Sequence, residues 1–402
     1  MHSYGSANLR LEVKRHARSD GELWPYLLRG GVPEVLPNAW VLADGMRPKA
    51  NTVEAYLRDV QLVYEVADRN GFSVGQRIQT FRGFSRAELD AIGTRLSQTA
   101  QGGQASRATC ERRAESVKRF LSFCFEYYKQ IQPLSLLEQF QADRNLAIQC
   151  RMISRRLKIE GSKGKGPSPA EELTSSEIDL LDSVMHPTSE LNPFRGQFVR
   201  FRNYCLFHVM RETALRRGEL VLLELDDVSL GGTPTIKIRK PTLAQRCRRR
   251  DGASMKTRGR EVPISQGLAC LLEEYRDYWR LQRVVTVRPS AALFLSAKDG
   301  RRLSMSSINK IFDALQAVPV VAQLGKRLHP HGMRATSTTE MRRRITAQGR
   351  VSGIELKEAL SYIGGWTQES PMVAHYTRAA ISEKLANILR GRWRGKEDAC
   401  NE

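Results

Sequence analysis

From Asn51 onward, apolar side chains recur at helical spacing: Val53, Tyr56, Leu57, Val60 and Tyr64 fall at i, i+3, i+4, i+7 and i+11. A second amphipathic stretch follows in SRATCERRAESVKRFLSFCFEYY, with Val117, Phe120, Leu121 and Cys124 on one face and Arg112, Arg113, Lys118 and Arg119 on the other. A third basic helix is predicted to carry Arg144, Arg151, Arg155, Arg156 and Lys158. The first 45 residues read differently, as short β-like runs (Leu9 to Val13) punctuated by Gly30, Gly31, Pro33 and Pro37. The stretch GSKGKGPSP, from Gly161 to Pro169, has the composition of a flexible cationic linker. After it Thr174 precedes a helical run with Glu177 three residues on, the signature of a capping box. Thr235–Lys240 and Arg260–Ile264 alternate like two strands, joined by a loop rich in arginine and lysine. Ile381, Leu385, Ile388 and Leu389 form an apolar stripe at i, i+4, i+7 and i+8 near the end.

These patterns predict a mainly α protein with a small antiparallel β insert. Its parts are an N-terminal extension (1–45), a helical domain (46–160), a linker (161–172) and a second domain with a C-terminal helix (173–402). Length allows this division, since 402 residues suffice for two domains of ordinary size. With 41% hydrophobic and 27% charged residues, the chain has a globular rather than a disordered composition.

Charge narrows the function. A formal net charge of +21 and a pI near 10.0 fit a nucleic-acid partner better than a small-molecule enzyme, with a merely solvated basic surface as the plainer reading. No run approaches the ~20 apolar residues that span a bilayer, and the N-terminus lacks a signal-peptide core, so a cytoplasmic protein is expected. Seven scattered cysteines without CxxC spacing predict reduced thiols, and no metal or cofactor is implied. The sequence has no phosphate-binding GxxxxGK[ST] loop, so no ATP is called for either.

Candidate chemistry lies in four short stretches: Arg216 in TALRRGEL, Lys256 in SMKTRGREVPI, His331 and Arg334 in HPHGMRAT, and Trp366 and Tyr376 in GGWTQESPMVAHYTRA. Two guanidiniums offer planar donors that stay charged, suited to the non-bridging oxygens of a phosphodiester. The Tyr376 phenol is a nucleophile once a positive field or a base lowers its pKa from about 10. Lys256 is suited to protonating a leaving oxygen, with Lys237 and Lys240 as rivals. His331 can exchange a proton or bond the phosphate, and the Trp366 indole can only donate. Glu219, three after Arg216, is placed to orient His331 or an arginine. Pro330 predicts the start of the helix that bears Arg334, and Tyr362 is expected to be a packing residue on the helix before Trp366.

TALRRGEL, HPHGMR and GGWTQES…HY together resemble the active-site boxes of the tyrosine recombinases, the phage integrase family, with the final box in the Trp-bearing form of Cre recombinase. The resemblance is close over roughly residues 170–390 and looser before them. It implies a SAM-like helical core-binding domain and a catalytic domain forming a clamp around double-stranded DNA. It further implies cleavage and rejoining through a 3′-phosphotyrosine at Tyr376, for integration, excision or resolution of a mobile element. A homotetramer on two synapsed sites, one dimer per site, is implied too, with accessory proteins as further partners and a nucleoid-associated place in a prokaryote. DNA contacts are expected from Arg112, Arg113, Lys118, Arg119, Arg155, Arg156, Lys163, Lys165, Arg248, Arg249, Arg250 and Arg258. Two positions depart from the family: Ala335 stands where many relatives have histidine, and Trp366 and Tyr376 are one residue further apart than usual. The alternatives are a type IB topoisomerase, which usually has lysine at the place of His331, and a DNA-binding regulator with a decayed site.

Overall fold

The structure, a computed structural model, describes residues 9–19, 21–43, 49–157, 172–242, 255, 257–284, 290–347, 351–367, 369–376 and 381. The described chain falls into two compact units, one carried by the residues up to Leu157 and one by those from Glu172 onward. The linker apart from Glu172 lies outside the described residues, as do Lys163, Lys165, Arg248, Arg249, Arg250 and Lys256.

The first unit opens with an antiparallel sheet, β1 (Leu11–Ala17), β2 (Leu23–Arg29) and β3 (Val32–Pro33), in the order β1-β2-β3. Helices α1 (Val35–Ala43), α2 (Ala50–Asn70), α3 (Val74–Gln79), α4 (Arg86–Leu96), α5 (Arg107–Ile131) and α6 (Leu136–Leu157) follow. The helical stretches from Asn51 and Ser106 form as the apolar spacing predicts. Ser85 and Ser106 cap α4 and α5, giving two of the otherwise unbonded N–H groups a partner.

The N-terminal segment is built into the core of these helices. Trp24, Leu27, Leu36 and Trp40 share one buried cluster with Val53, Leu57, Val60 and Phe120. Trp40 stacks on Tyr56, with centroids 5.5 Å apart. Buried Asn38 ties α1 to β2: its Nδ2 donates to the Leu27 carbonyl at 2.8 Å and its Oδ1 accepts from the Leu27 N–H at 3.0 Å.

The second unit contains α7 (Ser175–Met185), α8 (Gln197–Thr213) and the short α9 (Arg217–Leu220). Then come strands β4 (Val228–Ser229), β5 (Thr235–Ile238) and β6 (Arg260–Pro263). The sheet is antiparallel in the order β4-β5-β6, with Ile236 opposite Val262, so the two predicted strands gain a short third. Helices α10 (Gln266–Glu274), α11 (Met305–Gln316), α12 (Pro319–Ala322), α13 (Pro330–Ala347) and α14 (Gly353–Gly364) complete it. Thr174 and Glu177 make the predicted capping box at α7.

Helix α13 is buried over Gly332–Thr339 although it has no apolar stripe. Its hydroxyls bond their own helix: Thr336, Ser337 and Thr338 donate to the carbonyls of Gly332, Met333 and Arg334 at 3.1, 2.8 and 2.9 Å. Short polar side chains satisfied in this way can be buried, and Thr336 and Ser337 also bond the Leu173 N–H and the Met210 carbonyl, both at 3.0 Å. A small cluster of Leu356, Leu360, Trp366, Val373 and Tyr376 stands apart from the main core of the unit.

Candidate active site

The site begins where α8 ends. Ala214 takes a left-handed conformation, φ +50°, which costs a non-glycine residue roughly 1–2 kcal/mol. The turn aims the Ala214 carbonyl at Arg334 and sets Arg216 just before α9. The Arg216 N–H donates to Glu219 Oε2 at 3.0 Å, and its Nη1 lies 3.4 Å from Oε1. The Arg216 side chain keeps 30% of its surface open to solvent.

Arg334, one turn into α13, is 2% exposed. It donates to the carbonyls of Ala214 at 2.5 Å and Gly364 at 2.8 Å. Its guanidinium lies 4.9 Å from the Trp366 ring centre, within cation–π range. Burial, then the neighbouring Arg216 charge, pushes its pKa down to about 9, so it remains a cation at neutral pH.

Trp366 and Tyr376 stack, with ring centres 5.7 Å apart and planes 20° from parallel. Among the described residues, nothing accepts from the buried Trp366 Nε1–H. Tyr376 is 3% exposed, with Thr338 near its hydroxyl. Burial and the Glu172 charge raise its pKa, while Thr338, Arg334 and Arg342 pull the other way.

Helix α13 starts at Pro330, as its position predicts. His329 acts as its cap, because its Nδ1 accepts from the Gly332 N–H at 2.9 Å. His331 is exposed, and burial of part of its ring, with the charges of His329, Arg334 and Arg216, lowers its pKa. It is therefore neutral and able to accept a proton near pH 7.

Glu219 holds arginines and does not touch His331. Its carboxylate accepts from Thr257 Oγ1 at 2.5 Å and Arg260 Nη2 at 3.2 Å, with Arg334 Nη1 at 3.9 Å. Burial alone would raise its pKa, but Arg260, Thr257, the Arg216 N–H and Arg334 take it below the usual carboxylate value. Arg260 and Thr257 are participants that motif reading missed. The available signal was the strand alternation: Arg260 shares the inward face of β6 with Val262, and a charged inward position calls for a buried partner.

Around Lys256, Met255 and Thr257 are both 7% exposed, and Lys237 points to solvent from β5. Tyr362, expected to pack, is instead 53% exposed, and its hydroxyl donates to the Glu261 carbonyl at 2.6 Å. It lies on the outer side of α14, which leaves the inner positions to Leu356 and Leu360. Of the terminal stripe only Ile381 is described, and it is exposed.

The cations assigned to DNA differ in how free they are. Arg113 donates to the carbonyls of Leu96 and Gln98, both at 2.7 Å, at the end of α4. Arg112 pairs with buried Asp59, and Arg156 with Asp90. Lys118 and Arg119 share Glu115 at 2.8 and 3.0 Å, exposed pairs that are worth little and easily exchanged. Arg155 is exposed and lines a cavity of about 580 Å³ with Arg86, Arg151 and Arg156. Arg258 also faces solvent, while its N–H donates to the Gly365 carbonyl at 3.1 Å. Among the described residues no cluster of metal-ligating side chains occurs, and no helix is long and apolar enough to cross a membrane.

Comparison with known proteins bears on the family and the fold. Residues 181–383 match the model of the phage integrase family. The integrase of transposon Tn1549, solved in complex with circular intermediate DNA, is 17% identical with a TM-score of 0.51, over 85% of this chain and 93% of that one. XerA recombinase is 19% identical with a TM-score of 0.37, over 88% and 97% of the two chains. XerH recombinase bound to its difH substrate is 15% identical with a TM-score of 0.40, over 85% and 90%. No curated protein sequence matches this chain.

Proposed function

The chain belongs to the phage integrase family and is a site-specific tyrosine recombinase that breaks and rejoins DNA; on that premise we propose that Tyr376 is its nucleophile and that Arg216 and Arg334 hold the scissile phosphate. The observation that carries this reading is the charge around Glu219. Three guanidiniums, those of Arg216, Arg260 and Arg334, converge on one carboxylate, so the pocket carries a surplus of positive charge. A phosphodiester supplies the missing anion, and the charge its transition state gathers is greater still.

In the cleavage step the Tyr376 oxygen attacks phosphorus and the bond to the 5′-oxygen breaks. The phenolic proton passes to His331 or to water, and the leaving oxygen takes a proton from Lys256. The products are a 3′-phosphotyrosine and a 5′-hydroxyl. Because the new bond is itself a phosphodiester, rejoining needs no nucleotide cofactor: a 5′-hydroxyl attacks and Tyr376 leaves. The unpartnered Trp366 N–H supports a donor role toward a phosphate oxygen. The nucleophile is buried in the described state, so its hydroxyl must become accessible to the phosphate before it reacts.

The basic positions Arg112, Lys118, Arg119, Arg155 and Arg258 would bind backbone phosphates, giving affinity that falls steeply with salt. Strand exchange would take four protomers on two synapsed sites, two per site, with accessory proteins where the reaction must be directed. Its place would be the nucleoid of a prokaryotic cell.

The test is a nicked duplex carrying the inverted repeats that flank the gene in its replicon, which traps the covalent adduct by losing the attacking 5′-hydroxyl. The wild-type protein should give a protein–DNA adduct that Tyr376→Phe does not, while both shift the duplex in a gel. Absence of the wild-type adduct would refute the enzymatic reading, and an adduct with Tyr376→Phe would move the nucleophile elsewhere.

A further inference from the structure

Of the three guanidiniums, Arg260 is the one held to Glu219 by a fully buried side-chain hydrogen bond. Its side chain is 1% exposed, and so is that of Glu219 beside it. Arg260 Nη2 donates to Glu219 Oε2 at 3.2 Å and Nη1 to Thr257 Oγ1 at 3.3 Å. Thr257 in turn donates to Glu219 Oε1 at 2.5 Å. With the Arg216 N–H on Oε2 at 3.0 Å and Arg216 Nη1 near Oε1 at 3.4 Å, both carboxylate oxygens are occupied. Arg334 Nη1 stands 3.9 Å from Oε2, beyond hydrogen-bond range, and donates to the Ala214 carbonyl instead, while Nη2 donates to that of Gly364.

Arg260 is also wedged in place. Gly365, at φ +60°, leaves room for it: a Cβ there would lie 2.7 Å from Arg260 Nη1 and 2.8 Å from Thr257 Cβ. The turn that carries Trp366 is thus fitted against the strand that carries Arg260, and the Arg258 N–H bonds the Gly365 carbonyl at 3.1 Å.

Without Arg260, Glu219 Oε2 would lose its buried cationic partner. A buried carboxylate short of a cation attracts the nearest one strongly, and the nearest remaining guanidinium on that side is Arg334. We propose that Arg260 is a positioning residue: by occupying Glu219 it keeps Arg334 from being captured by the carboxylate and leaves it to the scissile phosphate. This rests on the reading of Arg216 and Arg334 as the phosphate-holding pair.

The experiment measures single-turnover adduct formation by Arg260→Met on three nicked duplexes. One has an ordinary scissile phosphodiester. In the second a methylphosphonate replaces it, removing the negative charge, and in the third the leaving atom is a 5′-thiolate, which needs no proton. Wild-type cleavage of the ordinary duplex tests the underlying reading separately, since its absence would sink that reading first. Arg260→Met should slow phosphodiester cleavage on the order of 100-fold, the scale of a small misplacement of a catalytic group. The deficit should nearly vanish on the methylphosphonate and persist on the 5′-thiolate duplex. Adding Glu219→Gln to Arg260→Met should recover part of the lost rate, because the carboxylate that captures Arg334 is gone. Arg260→Lys, which keeps a cation beside Glu219, should stay near wild type and controls for a variant that fails to fold. An equal deficit on all three duplexes would make Arg260 merely structural, and rescue by the 5′-thiolate would show that it serves the proton donor instead. Either result overturns the proposal, as does further loss in the double variant.

Discussion

Replacing Glu219 by glutamine keeps the shape of the side chain and removes the carboxylate that three guanidiniums share. The amide has one acceptor atom in place of two. Whichever way it turns, its NH2 faces donors, either Thr257 and Arg216 Nη1 or the Arg216 N–H and Arg260. Arg216 can turn to solvent, but Arg260, with a side chain 1% exposed, cannot. Breaking a buried pair by removing one charge costs about 3–5 kcal/mol. For a unit of this size each kcal/mol lowers Tm by about 2–4 °C, so a loss of about 6–20 °C is expected. Calorimetry on the full chain measures it.

The pH dependence has a definite sign. The pKa of Glu219 is lower folded than unfolded, so its stabilising contribution is complete above the ordinary carboxylate value and is lost as pH falls through the lowered one. The gap between wild type and Glu219→Gln should therefore be full near neutrality and close on acidification, as the wild-type carboxyl takes up a proton. A loss under about 1 kcal/mol at neutral pH would refute the reasoning, since it would mean that Arg260 is stable without its counter-charge. A gap that stays constant into acid would refute it as well.

Three further outcomes are expected. Gly365→Ala should cost about 2–5 kcal/mol in thermal melting, the sum of left-handed backbone strain and overpacking against Thr257 and Arg260; a neutral effect would mean that the turn and β6 move apart freely. Asn38→Leu should cost about 1–3 kcal/mol in urea unfolding, because the Leu27 N–H loses its buried acceptor while the Leu27 carbonyl keeps the Glu34 N–H; no loss would detach the N-terminal sheet from the stability of the first unit. The acid limb of the cleavage rate should lie below the ordinary histidine value and disappear in His331→Gln, since burial and nearby cations keep His331 neutral; a midpoint above that value would exclude His331 as the proton acceptor.

Legibility in the sequence followed the range of the interaction. Helices α2 and α5 and the Thr174 capping box depend on neighbours a few residues away, and strands β5 and β6 on their own local alternation, so each was readable from spacing alone. Helix α13 hid its burial, because hydroxyls bonded to their own helix replace the apolar stripe that periodicity detects. The N-terminal strands looked like an extension because their partners, Val53 to Phe120, come later in the chain.

The sequence by itself determined the type and order of the chemical groups: two arginines, a lysine, a histidine, a tryptophan and a tyrosine in separated boxes, on a strongly basic chain. Only the tertiary structure decided which cations are free to meet an anion. Arg260, Arg113 and Arg334 carry the same charge in the sequence, yet one is locked to Glu219, one brackets the end of α4, and one stands beside the tryptophan of the site. The reason is physical. A guanidinium takes its role from whichever carboxylate or carbonyl the fold brings near it, and those partners lie from 15 to 120 positions away along the chain.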